Sequence, residues 1–293
     1  MPALVIHGHF YQPPRENPWT DIVEVEPSAA SFHDWNERIH SECYQPNAGA
    51  RITDAATGAE LIVNNYEHIS FNFGPTLLSW LQSNHPATYT SIIDADHQSA
   101  LARGGHGNAI AQAYGHAILP LCNEHDRRTQ IRWGIADFRD RFGRDPEAMW
   151  LPETACNDAV MGMLIDERLR FVILAPNQAA RVKASDETEW RAVNQQTIDT
   201  GIPYHYSHVD GSGRSIVVFF YDGPTSRAIA FENLLKSSRE LVDRFEQVAN
   251  GRALVNVATD GETYGHHFKF GDIGLAHAVT VEAPARGLQV TNY

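Results

Sequence analysis

Residues 148–154 read Ala148-Met149-Trp150-Leu151-Pro152-Glu153-Thr154. A short apolar run meets a proline and then a carboxylate. Pro152 has no amide hydrogen to give to a sheet, so the strand stops there. A helical pattern follows at 157–168, with Asn157 as its N-cap. This strand, turn and helix places Glu153 at the C-terminal end of a strand.

The same grammar repeats outward in both directions. Short apolar runs predict strands at 3–8, 69–73, 108–114, 148–151, 170–174, 216–221 and 253–259. The third is Ala-rich and reads equally well as helix. Helices are predicted at 34–43, 76–83, 123–142, 157–168 and 227–249. Pro75 opens the second of these, and Gly143 with Pro146 closes the third. Nearly continuous apolar strands alternating with helices indicate a parallel sheet covered on both faces. Seven such strands predict an α/β fold, an incomplete TIM-like (β/α)7 barrel, as one catalytic domain over 1–293. In such barrels the chemistry gathers at the C-terminal strand ends. The stretches 16–65 and 181–213 are read as long loop insertions that shape a cleft or lid.

Composition narrows the function. Hydrophobic residues make up 43% of the 293, enough for a sizeable core. With 23 basic and 36 acidic residues the net charge is −13. That field repels phosphate backbones and anionic lipid, so neither nucleic acid nor membrane is an expected partner, whereas a neutral sugar is indifferent to it. Cys43, Cys122 and Cys156 are odd in number and far apart, which fits no disulfide framework and suits a reducing cytoplasm. The opening residues lack the form of a signal peptide, and no apolar run reaches membrane-spanning length. Oligomeric state is not readable.

Three strand ends carry the chemistry. Glu153 ends the fourth strand; the alternative is a carboxylate capping the next helix. Asp260 ends the seventh, in Thr259-Asp260-Gly261-Glu262-Thr263-Tyr264-Gly265-His266-His267; the alternative is an Asx-turn among solvated acids. Glu262 is read as holding that loop. Two carboxylates at one barrel mouth are what glycoside hydrolysis needs, roughly 5–5.5 Å apart in a retaining enzyme and further apart in an inverting one. The first strand ends in His7-Gly8-His9-Phe10-Tyr11-Gln12-Pro13-Pro14. Its two histidines point to one face, where they can bind sugar hydroxyls, ligate zinc or rest as satisfied buried rings. His106, His116, His266 and His267 are further candidates. Trp19, Trp35, Trp150, Trp190, Tyr11 and Tyr264 offer ring faces to sugars, although most aromatics are simply core.

Taken together, HGHFYQPP, GHAILPL, RFGRDPEAMWLPET and ATDGETYGHH resemble glycoside hydrolase family 57, in the family's order across nearly the whole chain. The HGHFYQPPREN opening looks like that of a bacterial subgroup. The resemblance implies a (β/α)7 barrel and retaining chemistry on α-glucans, as in amylases, 4-α-glucanotransferases and branching enzymes. By motif position it makes Glu153 the nucleophile and Asp260 the general acid/base. It also puts His9 and His116 on the sugar site; Tyr11, Gln12, Trp150, Tyr264 and His266 are read as further substrate-binding candidates beside them. No metal and no cofactor is called for. Tyr11 stands where the family usually has the histidine of a His-Gln-Pro triplet. The family's helical region after the barrel is expected to be absent, since the chain stops at Tyr293. Two other readings are a metal-dependent carbohydrate hydrolase such as a deacetylase, holding its ion with His7, His9 and an acid, and a non-catalytic glucan-binding barrel.

Overall fold

The computed structural model describes residues 1–53 and 57–293; residues 54–56 of the predicted insertion 16–65 lie outside the described residues. Seven strands form its centre: β1 (Ala3–Phe10), β2 (Ser70–Phe73), β3 (Ala111–Gln112), β4 (Met149–Trp150), β5 (Phe171–Leu174), β6 (Ser215–Phe220) and β7 (Leu254–Asp260). All seven predicted strands are present, the Ala-rich third among them.

Every pairing between neighbours is parallel. β1 lies between β7, with His9 opposite Asp260, and β2, with His9 opposite Asn72. A bridge from Phe71 to Ala109 leads to β3, which pairs with β4; a bridge from Ala148 to Phe171 leads to β5, which pairs with β6. The order is therefore β7-β1-β2-β3-β4-β5-β6. No ladder joins β6 to β7 among the described residues. There the backbone N–H of Asp222 donates to the Asn256 carbonyl at 2.8 Å. Below, the short strand Gln289–Val290 adds to the start of β1.

Helices cover the outside: α1 (Trp35–Ile39), α2 (Pro75–Asn84), α3 (Pro86–Ala102), α4 (Glu124–Phe142), α5 (Asp158–Asp166), α6 (Gly223–Phe231), α7 (Ser238–Ala249) and α8 (Gly271–His277). Their ends follow local chemistry. Asn123 and Asn157 cap α4 and α5, and Gly143 ends α4 in the left-handed region at φ 67°. The helix predicted over 227–249 is two helices. Asn233, at φ 58°, breaks it, and asparagine tolerates that conformation better than most residues. The amphipathic half is α7, which buries Leu241, Val242, Phe245 and Ala249.

The predicted insertions hold structure of their own. In the first, α1 runs into a wide π-turn (His40–Tyr44), and Ala50–Thr53 pairs with Glu60–Val63. In the second, Tyr204–Ser207 lies antiparallel to β6. Tyr44, Tyr66, Phe10, Phe71 and Phe73 pack edge to face and stacked between the first insertion and the barrel.

Candidate active site

Alternation along β1 turns His7 and His9 to the same side, one above the other. His7 bonds to Ser70 Oγ through Nδ1 and to Asn72 Oδ1 through Nε2, both at 3.0 Å. Asn72 Nδ2 meets His9 Nδ1 at 2.9 Å, and His9 Nε2 meets His116 Nε2 at 3.0 Å. Burial pushes the pKa of both β1 histidines down to about 3, so they are neutral rings with one donor and one acceptor each. With Asn72 Nδ2 donating to His9 Nδ1, the His9 Nε2–H donates to His116. All four nitrogens of His7 and His9 are engaged with protein partners.

Rings enclose this chain of bonds. Trp150, at the end of β4, stacks on His7 and His9 with centroids 4.9 and 5.0 Å away. Tyr11 stacks on His116 at 3.8 Å. Tyr11 is held from behind, where its backbone N–H donates to Glu262 at 3.2 Å. The Tyr44 hydroxyl donates to the same oxygen of Glu262 at 2.6 Å. Burial raises the Glu262 carboxyl to about 7. Glu262 therefore holds the loop, as its sequence context suggests. Gln12 donates to the Tyr11 carbonyl and accepts from Arg15.

The two strand-end carboxylates line the same cleft. Glu153 sits at φ 56° and Thr154 at φ 52°, in a tight turn closed by the Thr154 N–H donating to the Leu151 carbonyl at 2.7 Å. Glu153 caps no helix: Asn157 Oδ1 accepts from the Val160 N–H of α5 instead. Asp260 makes no side-chain cap either. Among the described residues neither carboxylate has a hydrogen bond from the protein. Partial desolvation raises the Asp260 pKa; His267 opposes this and the Glu153 charge adds to it. The Glu153 charge is felt by His116 as well.

These groups line one cleft of about 1380 Å³, with His9, Tyr11, Gln12, His116, Trp150, Glu153, Asp260, Glu262, His266 and His267 on its walls. His266 is fixed by a 2.5 Å contact of its Nδ1 with Glu42, and Trp35 meets its ring edge to face. Three expectations need correction. Tyr264 is 1% exposed and lies outside the cleft, its hydroxyl bonded to Thr259 beneath Asp260. Its ring fills core because Gly261 and Glu262 turn the chain inward before it. His106 bonds to Glu147, which precedes β4, and so lies at the opposite end of the strands. Trp19 projects into solvent and Trp190 stacks against Arg181 and Lys183; neither lines the cleft.

The cleft also includes Asn177 and Gln178 after β5, and Asp222 and Arg227 after β6. Sequence reasoning omitted them. A related signal was available: Asn177 and Gln178 follow an apolar run stopped by Pro176, and Asp222 directly follows the apolar run of β6, with Pro224 opening the next helix.

The profile of the family described as "Glycosyl hydrolase family 57" matches residues 3–276. Among solved structures, the chain is similar to 4-alpha-glucanotransferase from Thermococcus litoralis, with a TM-score of 0.67 at 16% identity, covering 100% of this chain and 39% of that one. It is also similar to a GH57 branching enzyme from Thermococcus kodakaraensis, with a TM-score of 0.64 at 16% identity, over 99% and 70% of the two chains. Over 106 residues it is 24% identical to Alpha-amylase 1 of Dictyoglomus thermophilum, which is 36% of this chain and 15% of that protein. The chain thus spans well under half the length of the glucanotransferase and of the amylase. With a family profile matched from the first strand to α8 and the barrel shared with those structures, the chain belongs to glycosyl hydrolase family 57.

Proposed function

We propose that this barrel cleaves or transfers α-glucan chains with retention, using Glu153 as nucleophile and Asp260 as general acid/base. The observation that carries the reading is the pair itself. Two carboxylates from opposite sides of the barrel, without a hydrogen bond from the protein among the described residues, open on one cleft, and burial, with the Glu153 charge adding to it, raises the pKa of Asp260. A carboxyl raised in this way suits the proton donor of such a pair.

In the first step a Glu153 oxygen bonds to the anomeric carbon while the glycosidic C–O bond breaks. The Asp260 proton passes to the leaving oxygen. In the second step water or a sugar hydroxyl gives its proton to Asp260 and attacks the same carbon, releasing Glu153. His116, His266 and Gln12 supply hydroxyl partners, His9 orients the His116 ring, and Trp150 and Tyr11 supply ring faces. Tyr264 supports Thr259 from the core.

The test is a product assay on maltooligosaccharides and soluble starch. The wild type is expected to give new chain lengths, shorter alone for hydrolysis and both shorter and longer for transfer. Glu153→Gln should lower the rate by at least about 10³-fold. Glucan binding without any product from the wild type, or undiminished turnover by Glu153→Gln, overturns the proposal.

A further inference from the structure

Of the chain's fifteen histidines, four line the cleft. Another pair sits behind its wall. Glu37 on α1 and His40 at the start of the π-turn are three residues apart and so share a face. His85 stands at the junction of α2 and α3 and meets them there. One ligand atom from each of the three lies within 4.8 Å of the others. The His40 and His85 rings stack with centroids 3.6 Å apart, and His85 Nε2 is 3.0 Å from a Glu37 oxygen. His40 is buried and touches Thr88 Oγ1 at 2.9 Å, and Trp80 packs beside both rings. The Glu37 and His85 side chains keep 34% and 25% of their surface open, which leaves an ion a way in.

We propose that Glu37, His40 and His85 form a structural site for a zinc-class divalent ion. Two imidazole nitrogens and one carboxylate oxygen are a borderline-soft set that suits zinc or cobalt, with ligand distances of roughly 2.0–2.2 Å and a fourth position for water. Calcium and magnesium want more oxygens than this site offers. Small rotations of the rings close the ligand atoms onto an ion, which displaces the proton now shared by His85 and Glu37.

The location gives the ion a purpose. The same segment, residues 35–44, also carries Glu42, which holds His266, and Tyr44, which holds Glu262; Ile39 lines the cleft itself. An ion at Glu37, His40 and His85 fastens that segment to the α2–α3 junction and so steadies the cleft wall from outside.

The test uses tag-free protein stripped with EDTA and titrated with Co²⁺, read by visible d–d absorption. One Co²⁺ per chain is expected, displaced by Zn²⁺, with Zn²⁺ raising Tm. Glu37→Gln and His85→Gln should each weaken binding by at least about 10-fold. Glu153→Gln, in the cleft, should bind Co²⁺ as the wild type does. The Glu37→Gln amide keeps the side chain's shape, and circular dichroism verifies that both variants fold. No Co²⁺ or Zn²⁺ uptake by the wild type, unchanged binding in both variants, or binding lost in Glu153→Gln overturns the site.

Discussion

Glu153 and Thr154 occupy left-handed backbone in succession, a conformation that costs of order 1–3 kcal/mol for each non-glycine residue. The turn persists because Thr154 is tied on both sides, to the Leu151 carbonyl through its N–H and to Gln178 through its carbonyl. The cost fixes where Glu153 points before any substrate arrives. Glu262 is the other residue held at a price in free energy. Its carboxyl, ordinarily near 4.5, is raised to about 7 by burial. A raised carboxyl stabilises the fold fully below pH 4.5, and that contribution is lost as pH rises through 7. Glu262→Gln should remove ~3 kcal/mol of pH-dependence between pH 4 and 8. Urea unfolding at both pH values checks this; an unchanged slope would mean that Glu262 is not the buried acid responsible. At this scale the sequence was most informative where a carboxylate directly follows an apolar run, as at Glu153 and Asp260. It was least informative for rings. Tyr264 lies four residues from Asp260 in a glycine-rich loop, and only the inward turn at Gly261 and Glu262 decides that it is core.

At the scale of elements, strands were legible and helices less so. β1 and β7 are buried almost end to end, so their apolar runs announced themselves. α3 has 17 residues and was missed, because the face it buries is Thr88, Ile92, Ala95, Asp96 and Ser99. Small and polar side chains make no apolar stripe. Asp96 is buried only because it accepts from the Ala109 N–H and pairs with Arg144 at 2.8 Å, partners distant in sequence. The break between α6 and α7 at Asn233 was hidden for a different reason: asparagine is compatible with a helix as well as with its interruption. The turn after β7 depends on a close approach. A Cβ at Gly261 would collide with the Phe10 ring on β1. Gly261→Ala should therefore destabilise by about 1–3 kcal/mol and lower kcat, because Asp260 is the preceding residue. Thermal unfolding and the glucan assay together check it, and wild-type values for both would show that the ring yields without cost.

Across the whole molecule, the seam between β6 and β7 decides whether the sheet behaves as a barrel. Asn256 on β7 is the knot. Its carbonyl accepts from the Asp222 N–H, its Nδ2 donates to the Thr200 carbonyl at 2.8 Å, and its Oδ1 accepts from the Tyr293 hydroxyl at 3.1 Å. Asn256→Ala leaves the Thr200 carbonyl and the half-buried Tyr293 hydroxyl unpaired, and should cost about 1–3 kcal/mol in denaturant unfolding; a loss within error would place the closure elsewhere. The barrel matters because it brings Glu153, from the fourth strand, and Asp260, from the seventh, to one cleft. The most direct test of their roles is covalent trapping. A maltosyl fluoride needs no acid for its departure, so the Asp260→Asn variant should form the glycosyl-enzyme and release it slowly. Intact-mass measurement is predicted to show one added glycosyl unit, and peptide mapping should place it on Glu153. A label on another carboxylate, or fluoride released by Glu153→Gln at the wild-type rate, would contradict the account.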